Sequence, residues 1–412
     1  MIYVLNSKGL PLMPTCRNGK VRHLLRDKKA AIVNLHPFTI QLSQERSNVV
    51  QPITLGVDTG YENVGLSATT EKKVLFECNV KLRSDISNNI ATRKQLRRSR
   101  RSRKARYRES RFMNRRRCIG WLPPSVQSRV DAQKFLIAKV HKILPIATIV
   151  VEVAKFDIHK LKNPMIEGSD YQHGEQMGFW NVREYVLCRD GHKSRKCKGK
   201  SNDYILNVHH IESRRTGGNA PDNLITLCET CHKNYHKGLI SLEGIKRGNS
   251  YKSESFMCIM KNFLVNSLTQ TYNNVLTTFG YITKNARINN HLKKDHNIDA
   301  RCISGNPNAE PPKEIYLIKK VRCHNRKIHK CKFLKGGKRL LNQSPYLMHG
   351  FRLFDKVLFD SKTAFVYGRR LNGSFLIKNI HGNTISSSIS YKKLKLLKRR
   401  SGWIMDYDVC LG

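Results

Sequence analysis

Over the first 50 residues, apolar and polar positions alternate in short pieces. VRHLLRDKKAAIV reads as a short helix followed by a strand, and FTIQL as another strand, so residues 1–50 are expected to form a small basic α/β module. In TLGVDTGYENVGLSATT and VLFECNV, an apolar strand, a tight Asp-Thr-Gly turn and a second alternating strand predict a hairpin. Pro123 and Pro124 are expected to stop any helix. VDAQKFLIAKVHKIL has helical spacing, and the β-branched run IATIVVEVAKFD is long enough for a buried strand. Residues 165–250 are polar and rich in Cys and His. FMCIMKNFLVNSLTQTYNNVLTTFGYIT then predicts a helix and a strand, and HLKKDHNIDARCIS a further helix. After NPNAEPPK come short strands, FRLFDKVLFD, TAFVYGRR, GSFLIKNI and TISSSISYKKLKLL, with hairpin-type turns at Asn372-Gly373 and His381-Gly382-Asn383. A small β-barrel of SH3-like size is expected over 345–412.

Charge changes this picture. The 412 residues suggest roughly two to four domains. They carry 76 Lys and Arg against 30 Asp and Glu, a formal net charge of +46, far beyond what solubility needs. A polyanionic partner is expected, nucleic acid before a membrane surface. The longest apolar run, near Ile143–Ala154, is too short to span a bilayer, and MIYVLNSKGL lacks the regions of a signal peptide. A cytoplasmic location follows as an expectation, with the twelve cysteines reduced or bound to metal. The charge peaks between Arg93 and Arg117, with 14 Arg or Lys, one acid (Glu109) and neither Pro nor Gly. Such a stretch is either a helix wrapped by phosphates or a solvated basic segment.

Three acids stand in unusual settings. Asp58 ends an apolar strand just before a Gly turn, Glu152 lies inside IVVEVAKFD, and Asp299 follows His296 by three residues on one helix face. Singly, each suits a turn, cap or salt bridge. In the order strand-Asp, strand-Glu, helix-His-x-x-Asp they suit a site for two divalent metals that hydrolyses phosphodiesters.

VHHIESRRTGGNAPDNLITLCETCHKNYH is the most specific stretch. It resembles the HNH nuclease motif, a ββα fold around one metal. The resemblance implies His210 as general base, His209 as a cation ligand, and Asn223 as the residue that orients the base or contacts the metal. His232 is a further candidate ligand, with His236 competing for that role. A bare zinc knuckle would need neither the His pair nor the Asn. Cys228 and Cys231 call for a second cysteine pair, but the expected place reads Ser194-Arg195-Lys196-Cys197, with serine at one ligand position. Cys188 or His192 would have to complete a zinc site, which is otherwise three-coordinate or empty.

An HNH block between the second and third carboxylate segments, with an arginine-rich stretch after the first, resembles IscB, the compact transposon-encoded RNA-guided nucleases. GLPLMPT matches that family's PLMP module, and LGVDTG, VVEVAKFD and KDHNIDA match its three RuvC segments in order. The resemblance implies an α/β multidomain fold: a PLMP domain (1–50), an RNase H-like RuvC core in three segments (51–90, 119–164, 249–315), an arginine-rich bridge helix (91–118), an inserted ββα HNH domain with linkers (165–248) and a guide-RNA and target-adjacent-motif region with a small β-barrel (316–412). It implies Arg93, Arg97, Arg98, Arg100, Arg101, Arg103, Arg106, Arg108 and Arg111 as contacts to guide RNA and heteroduplex. It further implies Mg²⁺ at Asp58, Glu152 and Asp299, with His296 as base or metal-site residue, one Mg²⁺ in the HNH centre, and structural Zn²⁺ at Cys197, Cys228 and Cys231. The expected agent is a monomer in a ribonucleoprotein in a prokaryotic cytoplasm. It pairs a structured guide RNA with double-stranded DNA, cuts the paired strand with HNH and the displaced strand with RuvC. A guide-free junction-resolvase-like endonuclease and an RNA-binding protein with inactive sites are the alternatives. CHNRKIHKC, from Cys323 to Cys331 with His324 and His329 between, is expected to be an RNA-contacting loop rather than a zinc site. Lys335-Gly336-Gly337-Lys338-Arg339 beside it suits phosphate contact.

Overall fold

The computed structural model describes residues 1–44, 49–101, 118, 120–154, 176–214, 218–248, 252–322, 331–333, 339–341 and 345–409. The chain is a mixed α/β protein with several sheets, divided into two compact units. Met1–Ser87, Arg111–Lys155 and Phe256–Gly412 make the first; Asn88–Ser110 and Phe156–Ser255 make the second.

In the first unit, β1 (Ile2–Leu5), β2 (Pro11–Thr15), α1 (Asn18–Arg26), β3 (Ala30–Leu35) and β4 (Phe38–Leu42) form a small module with sheet order β2-β1-β4-β3. Ile2, Val4, Val21, Ile40 and Leu42 fill its core. The Tyr3 hydroxyl donates to the Leu75 carbonyl at 3.0 Å, tying the module to the strands that follow. Those strands are β5 (Ile53–Asp58), β6 (Asn63–Thr69) and β7 (Val74–Lys81), an antiparallel meander. α2 (Ile86–Arg101) follows, nearly all of it in the second unit; the first unit resumes with α3 (Pro124–His141), and β8 (Ile146–Val153) returns parallel to β5. Pro124 opens α3 rather than merely stopping what precedes it. A proline at the first helical position loses no hydrogen bond, because its N–H would have had no intrahelical partner.

The second unit holds α4 (Val182–Arg189), β9 (Leu206–His210), β10 (Leu224–Cys228) and α5 (Glu229–His236), a ββα arrangement with β9 and β10 antiparallel. The first unit resumes with α6 (Lys252–Thr269), whose buried Phe256, Met257, Met260, Leu264 and Leu268 recur at helical spacing. Next come β11 (Val275–Phe279), α7 (Gly280–Asn289) and α8 (His296–Ile303). The pattern GYIT, expected to continue a strand, begins α7. That helix buries only Thr283 and so carries no apolar stripe to announce it. In HLKKDHNIDARCIS the helix begins only at His296, where the Asp295 carboxylate caps it by accepting the His296 N–H at 2.7 Å.

β12 (Glu314–Lys320), β13 (Cys331–Phe333), β14 (Arg339–Leu341), β15 (Lys356–Phe359), β16 (Lys362–Arg369), β17 (Ser374–Lys378), β18 (Thr384–Ser390), β19 (Lys395–Lys398) and β20 (Trp403–Val409) complete the chain. The main sheet has seven strands in the order β11-β8-β5-β6-β7-β12-β20. β12 spans the 315/316 boundary drawn from the sequence because it pairs with β7, and β20 then pairs with β12. The C-terminal sheet, β18-β17-β16-β15-β19, packs Val357, Ala364, Val366, Phe375 and Ile377 into its own core and shows no β18–β19 pairing among the described residues. No described helix is long and apolar enough to cross a membrane.

Candidate active sites

Asp58 closes β5, and Glu152 sits one residue beyond the Val57–Val151 pair on the parallel neighbour β8. The two carboxylates therefore emerge side by side at the carboxyl ends of adjacent strands. α8 adds His296 and Asp299, and it reaches the sheet because two glycines admit its backbone. A Cβ on Gly56 would lie 2.0 Å from the Ala300 carbonyl oxygen, and one on Gly65 would lie 1.8 Å from that of His296. A buried ion pair fixes the helix further. Arg301 donates to Glu77 of β7 from Nε at 2.6 Å and from Nη2 at 2.9 Å, while Asn297 and Ser67 donate to the same carboxylate.

Four residues scattered over some 240 positions thus meet at one end of the main sheet. His296 Nδ1 lies 2.6 Å from Asp58 Oδ2, and this hydrogen bond raises the imidazole pKa. Burial, together with the Asp58 and Asp299 carboxylates, pushes Glu152 up to about 7 against the opposing hydrogen bond from Thr283. Burial and then Asp58 raise Asp299. Carboxylates held this close repel one another, and a cation would relieve the repulsion. The oxygen-rich donor set and the buried Asp299 Oδ1, which has no aligned hydrogen bond, suit a hard divalent ion. Two neighbours were not anticipated from the sequence. The Thr283 hydroxyl donates to Glu152 Oε2 at 2.6 Å, and Arg287 Nε stands 3.0 Å from Asp299. Both lie on α7, the helix without an apolar signal.

The second site lies in the ββα unit. Successive residues of β9 leave the strand on opposite faces. His209 packs among His232, Tyr235 and His236 of α5, with ring centroids 5.3, 4.6 and 5.3 Å away. His232 and His236 are one helical turn apart, and their Nε2 atoms are 3.3 Å apart. Ligand atoms of His209, His232 and His236 all lie within 4.8 Å of one another, so both competitors for the third position are present. Burial, then the neighbouring imidazoles, lowers His209 to about 4, which keeps its ring neutral and able to ligate. His210 instead places Nε2 3.0 Å from Asn219 Oδ1 on the following loop. Asn223 is wholly buried and hydrogen-bonds neither His210 nor the histidine cluster. Its Oδ1 accepts from the Glu212 N–H at 2.9 Å, and its Nδ2 donates to the Glu212 and Gly218 carbonyls at 3.0 and 2.9 Å. These bonds brace the loop that bears Asn219.

Cys197, Cys228 and Cys231 gather with all three sulfurs within 4.8 Å. Burial pushes the Cys197 thiol up, but the Ser201 and Ser194 hydroxyls and nearby backbone N–H groups outweigh it and hold the thiol at about 5. Cys188, on α4, and His192 are both exposed and stand outside this group.

Of the arginine-rich stretch, α2 presents Arg93, Arg97 and Arg98 to the surface. Arg100 and Arg101 continue the helix, and Arg103, Arg106, Arg108 and Arg111 lie outside the described residues. So do most of the Cys323–Cys331 cluster and Lys335–Lys338.

The family model described as RRXRR protein matches residues 2–174, and that of HNH endonucleases matches 194–238. No curated protein matches the chain. Three crystal structures of Streptococcus thermophilus Cas9 are similar in part. The complex with the AGAA PAM shares 12% identity over 51% of this chain and 30% of that one, with a TM-score of 0.34. The AGGA PAM complex gives 13%, 45%, 26% and 0.30. The GGAA PAM complex gives 12%, 52%, 30% and 0.33. The chain spans less than a third of the length of those proteins. The HNH endonuclease match supports a nuclease.

Proposed function

We propose that the chain is an RNA-guided DNA endonuclease that cuts the guide-paired strand at the His210 centre and the displaced strand at the Asp58 centre. The observation that carries this reading is the meeting of Asp58, Glu152, His296 and Asp299 at one sheet end, in a chain whose HNH-like segment holds a second, separate histidine centre. The meander β5–β7 flanked by parallel β8 and β11 supports an RNase H-like core. The net charge of +46 supports a nucleic-acid partner as large as a guide RNA.

At the carboxylate centre, Asp58, Glu152 and Asp299 would hold Mg²⁺, which when bound polarises the phosphate and stabilises the leaving oxygen. The Nδ1–H of His296 donates to Asp58, leaving Nε2 on the half-exposed ring as the acceptor for a proton from water. Thr283 fixes the rotamer of Glu152 through its 2.6 Å hydrogen bond. At the HNH centre, Nε2–H of His210 is donated to Asn219, so Nδ1 is the proton acceptor. His209, His232 and His236 would hold the cation there, which supplies charge neutralisation at the phosphate. Three imidazoles without a carboxylate suit a borderline ion such as Zn²⁺ or Co²⁺ better than Mg²⁺, which departs from the expected magnesium.

The test uses the protein with its co-purified RNA on matched duplex DNA, in buffer containing Mg²⁺ and Co²⁺. Asp58→Ala is expected to leave a nick only in the guide-paired strand and His210→Ala only in the displaced one, each slowing its own cut by about 10²–10⁴-fold. A clean double-strand break by either variant sinks the assignment. Cleavage that survives ribonuclease treatment would instead favour a guide-free endonuclease.

A further inference from the structure

The thiol cluster has a built fourth side. Cys197 Sγ lies 3.7 Å from Cys228 Sγ, and Cys228 Sγ in turn accepts from the Cys231 N–H at 3.5 Å as the cap of α5. Ser194 precedes Cys197 by three residues, the spacing that separates Cys228 from Cys231, so the two turns present matching positions to one point. The Ser194 side chain is only 2% exposed. Its hydroxyl lies against the Cys197 and Cys231 thiols and yet has no aligned hydrogen-bond partner. A buried hydroxyl whose bonds to the thiols are poorly aligned is costly, and a ligand at the centre of the cluster would satisfy it. Ser201, at the far end of the same turn, places its Oγ 3.0 Å from Cys228 Sγ and 3.3 Å from Cys197 Sγ. The two outside candidates for a fourth donor, Cys188 and His192, are exposed and stand outside the group of three thiols.

We propose that Cys197, Cys228 and Cys231 bind one thiophilic divalent cation of the Zn²⁺ class, and that the fourth corner of its tetrahedron belongs to the Ser194 hydroxyl. Ser201 lies outside the shell and donates to the bound thiolates. Binding requires all three sulfurs as thiolates and releases whatever thiol protons remain, and the neutral hydroxyl stays protonated, giving a complex of net charge −1. Exposed Lys196, Lys198 and Lys200 flank Cys197 in sequence and add positive charge to that turn. A neutral oxygen donor holds Zn²⁺ more weakly than a fourth thiolate would, so this frame for the ββα unit exchanges its metal readily. The inference does not rest on the nuclease reading, because the cluster holds the fold and touches no substrate.

Cobalt(II) titration of the full chain, kept reduced with a phosphine, tests it. Thiolate-to-cobalt charge transfer reports sulfur ligands alone, so cobalt held by the histidine centre does not contribute. The wild type is expected to develop that band, Cys228→Ser to lose it, and Cys188→Ala and His192→Ala to keep it unchanged. Ser194→Cys is expected to increase its intensity by roughly a third and to tighten Zn²⁺, measured by chelator competition, about tenfold or more. No band in the wild type, loss of the band in Cys188→Ala or His192→Ala, or an unaltered band and zinc affinity in Ser194→Cys would each overturn the proposal. The Ser194→Cys arm adds a ligand rather than removing one, so its reading does not depend on a variant that fails to fold.

Discussion

Asn219 and Asn223 stand four residues apart in one loop and have opposite roles. Asn223 is wholly buried and gives all its polar capacity to the backbone of residues 212 and 218. Asn219 is exposed and faces His210. Replacing Asn223 with Ala leaves one N–H and two carbonyls without their partner, and the ββα unit should lose about 2–4 kcal/mol. Asn219→Ala should change stability by less than about 0.5 kcal/mol and slow the cut of the guide-paired strand by about tenfold, because the His210 ring loses its orienting acceptor. Denaturation of the full chain, followed through the ββα unit by hydrogen exchange, separates the two. An equal loss of stability in both variants would contradict these roles. The sequence named Asn223 because the motif contains it. Nothing in the sequence distinguishes an Asn that binds backbone from one that faces an imidazole.

At the scale of elements, α8 carries half of the carboxylate centre, and its seat is set by residues that do no chemistry. Gly56 and Gly65 allow its backbone to lie on β5 and β6, and the Glu77–Arg301 pair keeps it from sliding. Gly65→Ala should push the first turn of α8, with His296, off Asp58. Cutting of the displaced strand should fall by about 10²-fold or more, while the guide-paired strand is still cut at the wild-type rate. Strand-resolved cleavage of a doubly labelled duplex measures both, and an equal fall in the two cuts would show a general loss of fold instead. The acids themselves were legible because a carboxylate in an apolar strand is conspicuous. Glu77 was not singled out, because in VLFECNV it occupies an ordinary alternating position. Its buried partner Arg301 lies 224 residues away. α7 was missed with Thr283 and Arg287 on it, since a helix that buries one residue leaves no periodic trace.

For the molecule as a whole, the excess of positive charge governs behaviour in solution. If ten or so phosphates are neutralised by this surface, affinity for nucleic acid should fall by about 10³–10⁵ between 50 and 200 mM salt. Binding isotherms over that range give the slope of log affinity against log salt. A shallow slope, corresponding to about two phosphates or fewer, would remove the argument for an enveloping RNA. Charge of this kind is visible in composition before any fold is known, and so was the expectation of a polyanion.

What the sequence by itself determined was local: strand and helix periods, the metal-ligand chemistry packed into the histidine-cysteine segment, and the net charge. Each is written in residues within one turn or one strand of each other, where spacing alone sets which side chains share a face. The tertiary structure decided the rest. It brought Asp58, Glu152, His296 and Asp299 together, supplied Thr283 and Arg287 to them, admitted both His232 and His236 to one cluster, and set Ser194 rather than Cys188 or His192 beside the Cys197 and Cys231 thiols. Those outcomes depend on strand register, on two glycines and on a buried ion pair. They are long-range contacts, whose energies no local pattern of residues records.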